Sequence, residues 1–236
     1  MAIHIGTSGW AYASWKPDFY PAKLPSKKFL EYYASQLNSV EVNYTFRQLP
    51  SAATLDGWLA STGEDFKFSF KAPQRVTHFA RLKNCADLLE AFYVALQPVL
   101  QARRLGVVLF QLPPNFKANV AVLDEFLSIA ECPDMRFAFE FRNDSWFQQE
   151  VFRLLEHHKA ALCVAESDEL ESPDVATAPF RCYRLRKSDY SATELEKIVA
   201  QLKAQDQDGD VFVYFKHEEA PTGALNAAEV LRQLSK

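Results

Sequence analysis

Nowhere in the chain does an apolar run approach the roughly 20 residues a bilayer-spanning helix needs, so no membrane span is expected. A basic excess is also missing. The formal net charge is -4, which removes the chain-wide positive field that usually marks a duplex-binding protein. The first ten residues, MAIHIGTSGW, hold no basic segment followed by an apolar one. No signal peptide is expected there. Cysteine is sparse: Cys85, Cys132, Cys163 and Cys182 form no CxxC pair. Cys163 and Cys182 sit in apolar runs, where a reduced thiol behaves as a small hydrophobe, and the expected location is a reducing cytoplasm. HxH, HExxH and zinc-spaced Cys/His clusters are absent, as is a GxSxG elbow, so neither a metal nor a serine triad is expected. No low-complexity tract, linker or shift in composition divides the chain, and residues 1–236 are expected to form one domain.

What recurs instead is a short apolar strand, a polar turn and a helical pattern. The strand-like runs are Ile3–Gly6, Ser39–Asn43, Phe66–Lys71, Val107–Gln111, Arg136–Phe141, Ala161–Ala165, Phe180–Leu185 and Val211–Phe215. Between them, Ser26 is placed to cap a helix through Leu37, and Ser51 one through Leu59. Asn84 is placed to cap a longer helix to Arg104, with Gly106 as its stop signal and Pro98 as a kink. Further helices fit Ala118–Ala130, Ser145–His157, Ser191–Ala204 and Leu225–Leu234, with Ser191 and Glu194 in a capping-box spacing. The acidic segment Ser167–Thr177, with Pro173 inside it, is the weakest α unit. Strands alternating with helices imply parallel strands joined by crossovers. The fold class is therefore α/β, and 236 residues suit a single (β/α)8 TIM-like barrel. A doubly wound open sheet is the competitor. It would carry a phosphate-binding glycine turn after the first strand, and Gly6-Thr7-Ser8-Gly9 fits neither GxGxxG nor a P-loop.

A strand buried on both faces reads as a continuous apolar run. Several of these strands alternate instead. Phe66, Phe68 and Phe70 share one face, and Lys67, Ser69 and Lys71 the other. Glu41 with Asn43, Glu140 with Arg142, Arg184 with Arg186, and Tyr214 with Lys216 repeat the pattern. The apolar rows must face the helices, so the polar rows point into the barrel. Near its C-terminal mouth they would gather Glu41, Asn43, Lys71, Gln111, Glu140, Arg142, Arg184, Arg186 and Lys216, two acids against five bases. Unpaired buried charge is costly, so an anionic ligand would complete the set. The competing reading is a purely structural cluster, with Glu140 paired to Arg142 and Glu41 to Lys71.

Five aromatics lie within Trp10–Tyr20 after the first strand. Trp10 and Tyr12, and Trp146 after the fifth strand, are candidates to stack on a ligand, unless the segment is a hydrophobic plug. Thr77-His78 and His217-Glu218 follow the third and eighth strands. His78 is a candidate proton carrier and His217 a candidate binding residue. Glu166 and Asp168 permit a hard cation and no more.

The stretches GTSGWAYASWKPDFYP (6–21), LEYYASQLNSVEVNYTFRQLP (30–50), FSFKAPQRVTH (68–78), GVVLFQLPPNF (106–116), FAFEFRNDSW (137–146), YRLRKSDYS (183–191) and VYFKHEEAPTGALNA (213–227) resemble, in this order, the domain of unknown function 72 family. The resemblance implies a TIM-barrel fold and brings no settled activity. Many members read Arg-Leu-His-Gly where this chain has Arg184-Leu185-Arg186-Lys187, and Asn-Asn where it has Lys216-His217-Glu218. It is similar to a branch with RLR and FKHE motifs, and roles of the other branch's histidine do not transfer.

The favoured reading is a metal- and cofactor-independent enzyme, a hydrolase, lyase or isomerase, for an anionic small molecule. Glu140, Glu41, Lys71 and His78 would carry the chemistry. Arg142, Arg184, Lys216, Asn43 and Gln111, with Trp10, Tyr12, Trp146 and His217, would bind. Replacing Arg184 by Ala is expected to abolish anion binding and leave the fold intact. The less favoured readings are a nucleic-acid-processing or single-strand-binding protein, and a non-catalytic barrel binding a metabolite or protein partner.

Overall fold

The computed structural model describes residues 2–166, 170, 172–187, 189–205, 209–216 and 220–235. Eight strands form one parallel sheet in the order β1-β8-β7-β6-β5-β4-β3-β2, which brings the first and second strands back together as a barrel. They are β1 (Ile3–Thr7), β2 (Ser39–Val42), β3 (Lys67–Lys71), β4 (Leu105–Gln111), β5 (Arg136–Glu140), β6 (Ala161–Ala165), β7 (Phe180–Leu185) and β8 (Asp210–Phe215). The open-sheet alternative is thereby removed.

The two faces of each strand divide as the alternation requires. The outward phenylalanines Phe68, Phe70, Phe110 and Phe139 are fully buried beneath the helices. Phe110 stacks on Phe139 at 5.1 Å and meets Phe126 edge-on at 5.1 Å. Each such side chain contributes roughly 1.5–3 kcal/mol by leaving water. The inward face holds a separate apolar layer, with Val107, Leu109, Cys163, Cys182, Phe212 and Tyr214 at its centre. Ser69 belongs to the same face. Its Oγ accepts from Val107 N–H at 2.8 Å and lies 2.6 Å from the Tyr214 hydroxyl, so a polar residue inside the barrel is fully bonded.

The seam between β1 and β2 is closed largely by side chains. Asn38 Oδ1 accepts from Ile5 N–H and its Nδ2 donates to Ile3 O. The Tyr33 hydroxyl accepts from Thr7 N–H and donates to Ser39 O. Gly6 permits this closeness, because a Cβ there would stand 1.9 Å from Ser39 O.

Seven α-helices lie among the described residues: α1 (Phe29–Gln36), α2 (Ala52–Ala60), α3 (Ala86–Gln101), α4 (Val120–Ala130), α5 (Gln149–His157), α6 (Ala192–Gln205) and α7 (Thr222–Leu234). Between β6 and β7 the described residues form no helix. There Thr177 Oγ1 accepts from Leu162 N–H and donates to Ala160 O, tying the connector to β6. Ser51 caps α2 by accepting from Thr54 N–H at 3.2 Å. The Ser191–Glu194 capping box forms in both directions.

Other cap assignments need correction. Ser26 opens a single 3-10 turn and caps nothing. Asn84 takes a left-handed conformation (φ 51°), so α3 starts after Cys85 without a side-chain cap. The left-handed stop after α3 is taken by Arg103 (φ 55°). Gly106 instead lies inside β4, where a Cβ would meet Ser69 Oγ at 2.4 Å. Ser145 belongs to a short turn before α5, and α7 begins at Thr222, ahead of Leu225.

Candidate functional site

The polar rows converge at the C-terminal ends of the strands, the face where active sites form in this fold. At their centre is Arg184 from β7, which is 2% exposed. Its Nη2 donates to Glu41 Oε1 of β2 at 2.7 Å, and its Nη1 donates to Glu140 Oε2 of β5. These strands are not neighbours, so the guanidinium crosses the barrel as a strut. Glu41 Oε1 also accepts from Ser8 Oγ at 2.8 Å. Glu140 Oε1 accepts from Gln111 Nε2 at 2.9 Å and from Arg142 Nε at 3.1 Å. Burial alone would push the Glu140 carboxyl up. Arg184 and Arg142 outweigh it and hold the group down at about 2. Burial likewise opposes charge on Arg184, and the two carboxylates reverse that effect.

This geometry changes the roles expected of the set. Arg184 has both terminal nitrogens committed to carboxylates, so its fork braces the mouth, and among the described residues its Nε has no acceptor. The arginines keep Glu140 ionised at neutral pH. Trp146 offers no stacking face. It is fully buried, lies 4.7 Å from Phe141 in parallel stacking, and donates its indole N–H to Phe116 O at 2.7 Å. Phe19 and Tyr20 pack on α1, with Tyr20 stacked on Phe29 at 4.2 Å, and Trp15 packs in turn on Phe19 and Tyr20. They anchor the loop after β1 beside the barrel. Trp10 and Tyr12 stay half-buried: Trp10 meets Trp58 edge-on at 5.1 Å, and the Tyr12 hydroxyl donates to Ser8 O at 3.1 Å. His217 and Asp168 lie outside the described residues. Glu166 accepts from Lys187 Nζ at 2.8 Å and from the Tyr190 hydroxyl.

The balance of charge is now explicit. Arg184 and Arg142 offset Glu41 and Glu140. Lys71 and Arg186, both half-buried, have no carboxylate within ion-pair distance among the described residues. Burial and then Arg184 push the Lys71 amine down to about 8, against weaker opposition from Glu41 and Glu140. Burial and the same arginine lower Arg186 as well. Among the described residues, two buried polar atoms of this mouth have no partner, Arg184 Nε and Asn43 Oδ1. Lys216, the residue that follows β8, donates its backbone N–H to Leu185 O at 2.8 Å.

Two contributors are not legible in the alternation. Phe46, in the 3-10 turn after β2, lies 4.2 Å beneath Lys71 Nζ. The same ring meets His78 edge-on at 5.0 Å. His78 sits on a short π-helical turn (Arg75–Phe79), with Nδ1 2.9 Å from Thr77 Oγ1. Burial, then Lys71 and Arg142, lower its proton affinity. Ser8, the second residue, would be visible from sequence only as a small polar residue beyond β1.

Known proteins agree with this architecture. The UPF0759 protein YunF of Bacillus subtilis is 36% identical over 157 residues, 64% of this chain and 54% of YunF. The chain thus spans about half the length of that curated relative. A DUF72 family crystal structure from Thermotoga maritima superposes with a TM-score of 0.89 at 25% identity, covering 100% of both chains. A D-psicose 3-epimerase of Clostridium cellulolyticum shares the fold alone, with a TM-score of 0.58 at 13% identity, covering 100% of this chain and 98% of the epimerase. Residues 4–236 match the family described as "Protein of unknown function DUF72", and the chain belongs to it.

Proposed function

We propose that this protein is an enzyme acting on an anionic small molecule bound at the mouth of the barrel. The observation that carries the reading is the surplus of positive charge among the described residues: Lys71 and Arg186 stand beside a buried set that is already balanced. An anion would offset that charge and offer an acceptor to the orphaned Arg184 N–H. Arginine suits the task, because its planar fork binds carboxylate or phosphate through two parallel hydrogen bonds. Arg186 and Arg142 would hold the anion, with Asn43 and Lys216 at the rim. Lys71 and His78 would carry protons or charge for an elimination, isomerisation or hydrolysis. The four free cysteines, two of them partners across β6 and β7, suit a reducing compartment, and the reading places the protein in the cytoplasm.

A thermal-shift screen of wild type and Arg186→Gln against phosphorylated sugars, nucleotides, organic acids and short oligonucleotides tests this. The expected result is a small anion that raises the wild-type midpoint by several degrees and the variant's by much less. Equal shifts in both proteins would remove Arg186 from the site. Stabilisation by oligonucleotides alone, steeply weakened by salt, would favour single-strand binding. A bound anion that the protein never converts would leave a binding barrel.

A further inference from the structure

Lys71 is unusual among the mouth cations in what surrounds its amine. Its side chain runs along the inner face at the end of β3, and its neighbour at Nζ is an aromatic ring, Phe46 at 4.2 Å, where a carboxylate would normally stand. Thr45, next to Phe46, places its hydroxyl 2.7 Å from the Lys71 carbonyl, so the strand end and the supporting turn are fixed to one another. The same Phe46 ring meets His78 edge-on at 5.0 Å; His78 is partly exposed, with Nδ1 2.9 Å from Thr77 Oγ1. Lys71 is part-buried, has no ion pair among the described residues, and is pushed by burial and then Arg184, against Glu41 and Glu140, toward the unprotonated form that makes a lysine amine a nucleophile near neutral pH.

We propose that Lys71 is the nucleophile of this site and forms an imine with the aldehyde or ketone carbon of a small oxo compound bearing a carboxylate or phosphate. The inference rests on the anionic-ligand reading above, and Arg186 and Arg142 take the charged group. Unprotonated Nζ bonds to the carbonyl carbon while the C=O π pair moves to oxygen, which takes up a proton. The nitrogen releases a proton, which His78 or water carries to the new hydroxyl. The C–O bond then breaks, water departs, and a protonated imine remains. No oxidant or reductant is consumed. The cationic imine withdraws electrons from the neighbouring carbon, which assists loss of an α proton or cleavage of an adjacent C–C bond. Elimination and isomerisation are therefore favoured over hydrolysis among the reactions left open by the charge of the mouth.

Reductive trapping tests this. The full chain is incubated with glyoxylate in one arm and dihydroxyacetone phosphate in the other, then treated with sodium borohydride and mapped by peptide mass spectrometry. At pH 7.5 the expected adduct is on Lys71, forming about tenfold or more faster than on exposed lysines such as Lys27. Its rate should rise with pH through a midpoint near 8, the value to which burial and Arg184 lower this amine. The arm that labels faster identifies carboxylate or phosphate as the charged group. Lys71→Arg, which keeps the charge, should lose the adduct and keep the thermal shift given by the non-carbonyl anions malonate or inorganic phosphate. Labelling spread evenly over surface lysines, with that shift retained in wild type, overturns the lysine assignment and leaves the anion site standing. Loss of both adduct and shift overturns the two together.

Discussion

At the base of the barrel, Arg136 meets Asp210 at 2.8 Å with 42% and 25% of the two side chains exposed. At the mouth, Arg184 meets Glu41 at 2.7 Å with 3% and 1% exposed. The chemistry is the same and the consequences differ. Water screens the basal pair, and the nearby Lys67 satisfies itself on the Arg103 carbonyl at 2.7 Å. His4, stacked on Phe212 at the same end, is pushed by burial down to about 4 and stays neutral at physiological pH. The base therefore tolerates each group alone. The mouth does not: its carboxylates come from β2 and β5 and its guanidinium from β7, so each buried charge depends on partners far away in the chain. Among the described residues, Lys71 and Arg186 remain without a carboxylate partner once that network is complete, and the proposed anion site rests on this excess.

Breaking the strut should show the largest effect. Arg184→Met leaves two buried carboxylates without their bridge, and a loss of about 3–5 kcal/mol in urea unfolding is expected. An unchanged unfolding midpoint would mean that the mouth is as well hydrated as the base. Because the same geometry ties Arg184 to two buried carboxylates, its removal is expected to cost stability as well as binding, and Arg186 is the cleaner probe of binding.

A second, smaller effect concerns acid. Unfolded, Glu140 takes up its proton near the ordinary value of 4.5; folded, it does so only at about 2. In that window the unfolded chain holds the extra proton, so stability falls as the pH drops through it, and above it this group's contribution is fully present. The stability gap between wild type and Glu140→Gln should accordingly narrow below about pH 4.5. Urea titrations at pH 6, 4 and 3 measure this, and a constant gap would contradict the assigned shift. The smallest effect belongs to the base, where Arg136→Gln should cost no more than about 1 kcal/mol and less in high salt. A larger loss would erase the contrast between the two ends.

The alternation of Phe68 and Phe70 with Ser69 and Lys71 made the barrel and its inward polar row legible, because period-two patterning depends only on neighbours in the chain. Ser51 and the Ser191–Glu194 box were legible for the same reason. The errors arose where distant parts meet. Gly106 reads as a helix stop and is a strand residue relieved of a clash with Ser69 and Phe212. Trp146 reads as a loop aromatic and is core, because Phe116 and Phe141 close over it.

What the sequence by itself determined is the set of candidates: eight strands, an inward row of charges and more cations than acids. Which of those charges cancel was decided by the tertiary structure alone. Pairing depends on the distance between side chains from β2, β5 and β7, and that distance exists only after the barrel closes. Closure assigned Arg184 to the carboxylates, placed Phe46 beneath Lys71, and left that amine beside an aromatic ring with no carboxylate partner among the described residues.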